Sequence, residues 1–432
     1  MFERYHAEQY QDVIPRLFPE LLEKHRPEDA LVKNFTFQVT EGCSLCCTYC
    51  YQTAKSGRKM SWETAKAVVD SLFSQDDAAS KGSGKSEAII LEFIGGEPLL
   101  EIRLIDKIVD YFLYQAIRRD HRWAARFMIS ICSNGVAYFE PEVQDFIRRH
   151  QRHLSFSVSI DGNRELHNAC RVFPDGSGSY DVAVRAALHY MEHYGGLGSK
   201  MTLAPENIAY TFDALKNLYE LGYQEIHANC VFERGWTVEH ARIYYGQLKK
   251  LADWILAEGR ERVYLSLFDE SRYRPMDPSD NQNWCGGNGR MLSVDCDGVL
   301  YPCIRYMPTS LGGKRLPITC GDIRTGVDWR KLEEMQTITR RSQSTDECFY
   351  CPIAAGCSWC TAYNYQEFGT INRRATFICE MHKAESLANV YFWNKLYRKH
   401  GMTDRFPLHC PREWAVQIVS EEEYKMLEVL TA

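Results

Sequence analysis

The chain has no run of eighteen apolar residues, and its opening stretch, MFERYHAEQYQDVIPRLFPELLEKH, holds no continuous apolar segment. Neither a membrane-spanning helix nor a secretory signal is expected, and a cytoplasmic location is. Long runs of one charge are missing as well: 51 basic and 57 acidic residues give a formal net charge of -6. That balance offers no basic arm for nucleic acid and no polybasic patch for a membrane. A phosphate loop is also lacking. The stretch Gly82–Ser86 ends in GKS, but the first glycine of G-x4-G-K-[ST] would be residue 79, which is Ala79.

Cysteine, by contrast, is abundant. Seventeen of them, an odd number in a chain of 432 residues without a signal peptide, do not make a disulfide framework. Metal or iron–sulfur ligation is the leading explanation. The composition, 45% hydrophobic and 25% charged, is that of a globular protein large enough for two or three domains.

From residue 34 to about 235, apolar strands alternate with segments of helical period. Strands are expected at 34–40, 88–96, 127–135, 154–162, 200–205 and 225–232. Between the first two, Ala65, Val68, Val69, Leu72 and Phe73 follow helical spacing behind Ser61, a candidate N-cap. Further helices fit 102–119, 140–150, 180–194, 207–220 and 238–257. The fold class is therefore α/β with a parallel sheet, either doubly wound or curled into an open barrel. In both forms the chemistry sits at the C-terminal strand ends. The cysteines at 43–50, GGEP at 95–98, SNG at 133–135 and SIDG at 159–162 all fall there and converge on one rim.

After residue 283 the cysteines return and helical periodicity fades into Gly- and Pro-punctuated segments. The expected division is an N-terminal segment 1–33, an α/β core 34–240, a bridge 241–283, a Cys-rich domain 284–385 and a helical tail 386–432. In the tail, SLANVYFWNKLYRKHG at 386–401 reads as a closing helix with buried aromatic side chains.

Cys43, Cys47 and Cys50 have the spacing C-x3-C-x2-C, with Cys46 as an extra. Three thiolates on one loop leave a [4Fe–4S] cube with one iron lacking a protein ligand. Structural zinc normally takes four ligands from two separate loops, so zinc fits this loop poorly. The spacing, with Tyr49 before the third cysteine and GGEP, SNG and SIDG on successive strands, resembles the radical S-adenosylmethionine (SAM) superfamily. The resemblance implies a partial (β/α)6 barrel whose open iron chelates S-adenosylmethionine and cleaves it to a 5′-deoxyadenosyl radical. It further implies that Glu97 accepts from the cofactor ammonium, with Gly95 and Gly96 letting the backbone come close. Tyr49 would flank the adenine, and Asn134 would line the same rim. Ser159 and Asp161 would hold the ribose or methionyl group, and Arg171 would pair with the carboxylate.

Further along, Cys285 and Cys303 precede Cys348-x2-Cys351-x5-Cys357-x2-Cys360 and Cys379. The paired C-x2-C spacing is also that of a zinc ribbon. In order, however, the set resembles the SPASM extension, which holds two auxiliary [4Fe–4S] clusters, although one residue fewer separates Cys357 from Cys360 than in that family. The resemblance implies a distal cluster on Cys348, Cys351, Cys357 and Cys379 and a proximal one on Cys285, Cys303 and Cys360. The fourth proximal ligand is open between Cys296, Cys320 and none. The chain would then carry three [4Fe–4S] clusters.

Proteins with this combination act mostly on ribosomally made peptides. The implied reaction is removal of two hydrogens from a Cys-rich precursor peptide to form a thioether. The implied partners are that peptide and a flavodoxin- or ferredoxin-type reductant; as 33 residues are too few for a leader-binding domain, leader recognition is open between a separate leader-binding protein, the barrel itself and the 241–283 bridge. Carbon–carbon or cyclophane cross-linking and epimerisation use the same machinery. Formylglycine formation in a sulfatase is a further alternative, but maturases of that kind place an aspartate where this chain has Ile304. A non-catalytic, metal-stabilised peptide-binding scaffold is the alternative outside enzymology.

Overall fold

The computed structural model describes residues 32–78, 86–282 and 285–432. Nearly all of the N-terminal segment, and residues 79–85 of the polar loop, lie outside these.

Six parallel strands, β1 (Val32–Gln38), β2 (Ala88–Ile94), β3 (Phe127–Ser133), β4 (Leu154–Val158), β5 (Gly198–Leu203) and β6 (Glu225–Cys230), lie side by side in chain order. A two-residue β7 (Tyr264–Leu265) extends the row. A doubly wound sheet reverses its strand order at a switch point, and this one does not, so the curled barrel is the form adopted. Helices α1 (Trp62–Ala78), α2 (Ile102–Arg118), α3 (Pro141–His150), α4 (Arg164–Cys170), α5 (Tyr180–Tyr194), α6 (Thr211–Glu220) and α7 (Val238–Glu258) form the crossovers.

The expected helical stripe is the buried one: Ala65, Val68, Val69, Leu72 and Phe73 of α1 are all in the core. Ser61 caps the helix, its Oγ accepting from the Thr64 amide at 3.0 Å. Phe73 stacks on Phe112 of α2 and Phe37 on Phe93, so neighbouring strands and helices share aromatic contacts. The sequence reading missed α4. Seven residues are too short for a periodic signal, and its start is set by a cap, Asn163 Oδ1 accepting from the Leu166 amide at 3.1 Å.

The expected strands run past the observed ends, at 38, 94, 133 and 158 rather than 40, 96, 135 and 162. Beyond these ends the chains turn and bond to one another as rim loops. Ser159 N–H, for example, donates to Ser133 O at 2.8 Å.

The Cys-rich segment continues the same sheet. β8 (Met291–Val294) pairs in parallel with β1, and β9 (Val299–Tyr301), β10 (Gly321–Asp322) and β11 (Gly326–Val327) follow as an antiparallel meander. Helix α8 (Thr361–Phe368) precedes α9 (Cys379–Lys399), and the chain closes with α10 (Arg412–Ile418) and α11 (Glu421–Thr431). The tail helix begins seven residues earlier than the tail expected from sequence, and so carries Cys379 on its first turn. Tyr391, Phe392, Trp393 and Tyr397 on it are buried, as expected. Among the described residues no helix is long and apolar enough to cross a membrane.

The SIDG rim depends on Gly162. Its φ is 97°, and a Cβ there would lie 2.3 Å from Ala214 Cβ on α6. Gly162→Ala combines a left-handed backbone, about 1–2 kcal/mol, with overpacking, about 1–3 kcal/mol. Denaturant melts should show a loss in that summed range. An unchanged midpoint would mean that α6 does not press on the rim.

Candidate functional site

The cysteine loop leaves β1 and is tied down on two sides. Cys46 N–H donates to Val172 O at 2.8 Å and Thr48 N–H to Cys170 O at 3.0 Å, just past α4. On the other side Ala54 N–H reaches Thr309 O at 3.3 Å, in the Cys-rich segment. Cys43, Cys47 and Cys50 are half-buried, and Cys46 is exposed. Burial pushes the Cys47 thiol up to about 11, against the pull of Arg171. Lys55, which sequence reasoning did not single out, faces all three thiols. Burial would lower its ammonium, but Cys50 and Cys43, with Cys47, hold it above the usual lysine range. A single lysine in a loop obeys no spacing rule that would have revealed it.

GGEP closes over this loop. Gly96 N–H donates to Thr40 O at 3.1 Å and Glu97 N–H to Gly42 O at 2.9 Å. A Cβ on Gly96 would sit 2.3 Å from Gly42 O and 2.7 Å from Cys43 Cβ, so only glycine fits. The close approach made by this glycine is thus to the cysteine loop itself. Glu97, 2% exposed, accepts from Ser133 Oγ at 2.8 Å, the Asn134 amide at 2.8 Å and the Leu99 amide at 3.1 Å. A carboxylate offers about four lone-pair sites, so about one is left. Asn134 Nδ2 in turn donates to Ser44 Oγ at 3.0 Å.

Asp161 lies at the base of the rim, 0% exposed. It accepts from Tyr49 Oη, from Arg171 Nε at 2.7 Å and from the Thr202 amide at 3.3 Å. The Arg171 guanidinium lies 5.4 Å from the Tyr49 ring centre. Behind them, His167 Nδ1 accepts the Asp161 amide proton at 3.3 Å. Its Nε2 then carries the proton and donates to Ser179 Oγ at 3.0 Å, whose hydroxyl donates to Arg171 O at 2.8 Å. Ser159 Oγ lies 3.4 Å from Cys132 Sγ. Cys132 is exposed on the face of β3 opposite the helices.

The remaining cysteines fall into two groups. Cys303 is buried and faces Cys285 and Cys360. Thr361 Oγ1 lies 3.1 Å from Cys285 Sγ and accepts from Tyr306 Oη at 3.0 Å, which leaves its own proton for the sulfur. The Tyr363 amide donates to Cys360 Sγ at 3.4 Å. In the second group Cys357, Cys351 and Cys379 each face Cys348, and Arg374 lies against Cys348, Cys357 and Cys379. Cys296 instead donates to Gln38 O at 3.3 Å, among Glu41, Asp295 and Arg58. Cys320 is buried beside Lys331. Neither joins the Cys285 group.

All seventeen thiols are free. Tetrahedral zinc, with bonds of about 2.3 Å, needs sulfurs about 3.8 Å apart. Among the described residues no three cysteine sulfurs lie within 4.8 Å of one another. The hydroxyl near Cys285 Sγ and the amide donating to Cys360 Sγ suit iron–sulfur ligation.

Residues 33–169 match the protein-family model described as a 4Fe-4S single cluster domain. A protein of Methanocaldococcus jannaschii, described as uncharacterized, is 27% identical over 276 residues, 63% of this chain and 85% of that one. Among solved structures, anSMEcpe with bound AdoMet and Cp18Cys peptide has a TM-score of 0.62 at 17% identity, over 86% of this chain and 99% of that one. SuiB of Streptococcus suis, bound to its precursor peptide SuiA, gives 0.51 at 12% identity, over 84% and 79%. The chain shares the fold of these structures, a partial (β/α)6 barrel continued by a Cys-rich C-terminal segment. In that fold the first cysteine loop, GGEP, SNG and SIDG share the rim described above.

His167 ties this rim to pH. Burial pushes its imidazole down to about 4, and His382 falls to about 3 for the same reason. An unfolded imidazole titrates near 6.5, so below that pH the unfolded chain binds a proton that the folded one refuses. The contribution is complete above about pH 6.5 and is lost as pH falls towards 4, up to about 3 kcal/mol for His167. Urea melts at neutral pH and near pH 4.5 should show a smaller acid loss for His167→Gln than for the wild type. Equal losses would mean that His167 is not held neutral.

Proposed function

We propose that this protein is a radical SAM peptide maturase that joins a cysteine sulfur of a precursor peptide to a carbon, using three [4Fe–4S] clusters. The observation that carries the reading is the three-thiol composition of two of the three cysteine groups. Cys43, Cys47 and Cys50 leave one iron open for the cofactor. Cys285, Cys303 and Cys360 leave one open for a substrate thiolate, since Cys296 donates to Gln38 O and Cys320 is buried beside Lys331. Peptides bound to anSMEcpe and SuiB support a peptide substrate.

When bound, S-adenosylmethionine and its cluster supply removal of a hydrogen atom from an unactivated carbon, which acid–base groups cannot do at neutral pH. The chain's own residues bind and orient. Glu97 offers its remaining lone pair to an ammonium. Asp161 holds Tyr49 against one side of the rim and orients Arg171, which keeps further N–H donors for a carboxylate. Gln38 Oε1 and Gln52 Oε1, buried beside the cysteine loop, have no partner among the described residues and are acceptors for a bound group. The assigned ligands are Cys348, Cys351, Cys357 and Cys379 for the distal cluster and Cys285, Cys303 and Cys360 for the proximal one.

A second reading is epimerisation. Cys132 exposes an S–H on the inner face of the barrel, and a thiol there is a hydrogen-atom donor to a carbon radical.

The test is anaerobic co-expression with a Cys-rich precursor peptide, followed by high-resolution mass spectrometry with thiol alkylation. Loss of two hydrogens and one alkylatable thiol is expected. Loss of two hydrogens with all thiols reactive would move the assignment to carbon–carbon linkage. A mass unchanged in ordinary water, with one deuterium gained in heavy water, would support epimerisation. The purified protein should hold about twelve irons, and Cys43, Cys47 and Cys50 changed together to Ala should abolish deoxyadenosine formation. Cofactor cleavage by that variant, or a colourless zinc protein, would sink the radical reading.

A further inference from the structure

Arg305 stands two residues after Cys303, in the single 3-10 turn Ile304–Tyr306 that Cys303 caps. Its guanidinium lies 5.2 Å from the centre of the Tyr51 ring, on the loop of the first cysteine set and next to Cys50. Its carboxylate partner is Glu233, 3.5 Å away on the loop after β6 and half exposed. A half-exposed, solvent-screened carboxylate in a long ion pair offsets only part of a cation's field. Arg305 itself is mostly buried, so the rest of its charge acts on what lies around it.

What lies around it is sulfur. The Arg305 backbone amide bonds to Cys303, and the guanidinium charge reaches both Cys303 and Cys360. It also reaches Tyr51, whose buried hydroxyl accepts from Gln52 Nε2 at 3.4 Å. The cation therefore stands between the first cysteine loop and the proximal group. A thiolate-ligated cluster gains one negative charge on reduction. A nearby cation in a poorly solvated site, together with N–H donors to sulfur, favours the reduced form.

We propose that Arg305 is a positioning residue, held by the face of Tyr51, that raises the reduction potential of a cluster bound by Cys285, Cys303 and Cys360. This rests on the proximal ligand assignment given above. Arg374 provides an internal comparison, because it stands in the same relation to Cys348, Cys357 and Cys379.

The experiment is EPR-monitored potentiometry on the reconstituted full-length protein in which Cys43, Cys47 and Cys50 are changed to Ala, so that only auxiliary signals remain. Arg305→Gln should move one midpoint downwards and leave the other in place, while Arg374→Gln should move the other. Arg305→Lys, which keeps the charge but not the planar stack, should give a smaller shift. Unmoved midpoints in Arg305→Gln at full iron content would overturn the inference, as would equal shifts in the Gln and Lys variants. If Arg305→Gln does not retain iron, Tyr51→Leu frees the cation from its ring and must lower the same midpoint; an unmoved one overturns the proposal equally. Absence of two auxiliary signals from the parent protein would instead fail the ligand assignment, and the inference with it.

Discussion

Two backbone hydrogen bonds hold the rim together: Gly96 N–H to Thr40 O and Glu97 N–H to Gly42 O. They press the end of β2 against the start of the cysteine loop at a separation no side chain tolerates. Because Glu97 is fixed there, its carboxylate meets Ser133 and the Asn134 amide, and Asn134 meets Ser44. The loop is thus gripped from the β2 and β3 side. The bonds from Cys46 and Thr48 to residues 170–172 grip it from the other. Three thiols on a loop without regular structure are held in place by its neighbours, the preorganisation a metal site needs.

The second constraint is electrostatic. Burying the Asp161–Arg171 pair is unfavourable unless further hydrogen bonds satisfy it. Here Tyr49 Oη and the Thr202 amide complete the carboxylate. Arg171 lies over the Tyr49 ring and beside Cys47, so its charge serves two purposes. Asp161, expected from sequence among the cofactor contacts, has its oxygens occupied by protein donors. What Asp161 does is hold Tyr49 and Arg171 in place.

Much of this was legible in the sequence because it rests on short-range rules. The strand-helix alternation follows from periodicity, and the rim motifs follow from their places after β1 to β4. Sequential strand order was not legible, since doubly wound and barrel forms share the same alternation. Nor was the pairing of β8 with β1: four residues between Gly289 and Cys296 carry no strand signal, and their partners lie 257 positions away in the chain. Helix α4 escaped for its shortness, although it carries His167 and ends beside Arg171. Lys55, Arg305 and Arg374 escaped for another reason. A lone cation beside a thiol is a tertiary relation with no spacing of its own.

Those three cations bear on how the thiols coexist at all. Lys55 faces Cys43, Cys47 and Cys50, Arg305 faces Cys303 and Cys360, and Arg374 faces Cys348, Cys357 and Cys379. Each cysteine group has at least one; Arg171 also lies beside Cys47, Arg272 beside Cys357 and Lys383 beside Cys379. They do not suffice to ionise the sulfurs. Burial keeps Cys47 near 11 and, with Cys357 and Cys348 adding to it, Cys379 near 12. Burial thus favours the protonated form of Cys47 and Cys379, and a bare thiolate at either would be costly. Metal ions supply the missing positive charge, so ligation displaces protons that the folded chain already holds. The cations then act on what remains, the excess negative charge of several thiolates around one centre. On this view burial disfavours free thiolate at Cys47 and Cys379, and the cations beside the cysteine groups offset part of the negative charge that ligation would gather there.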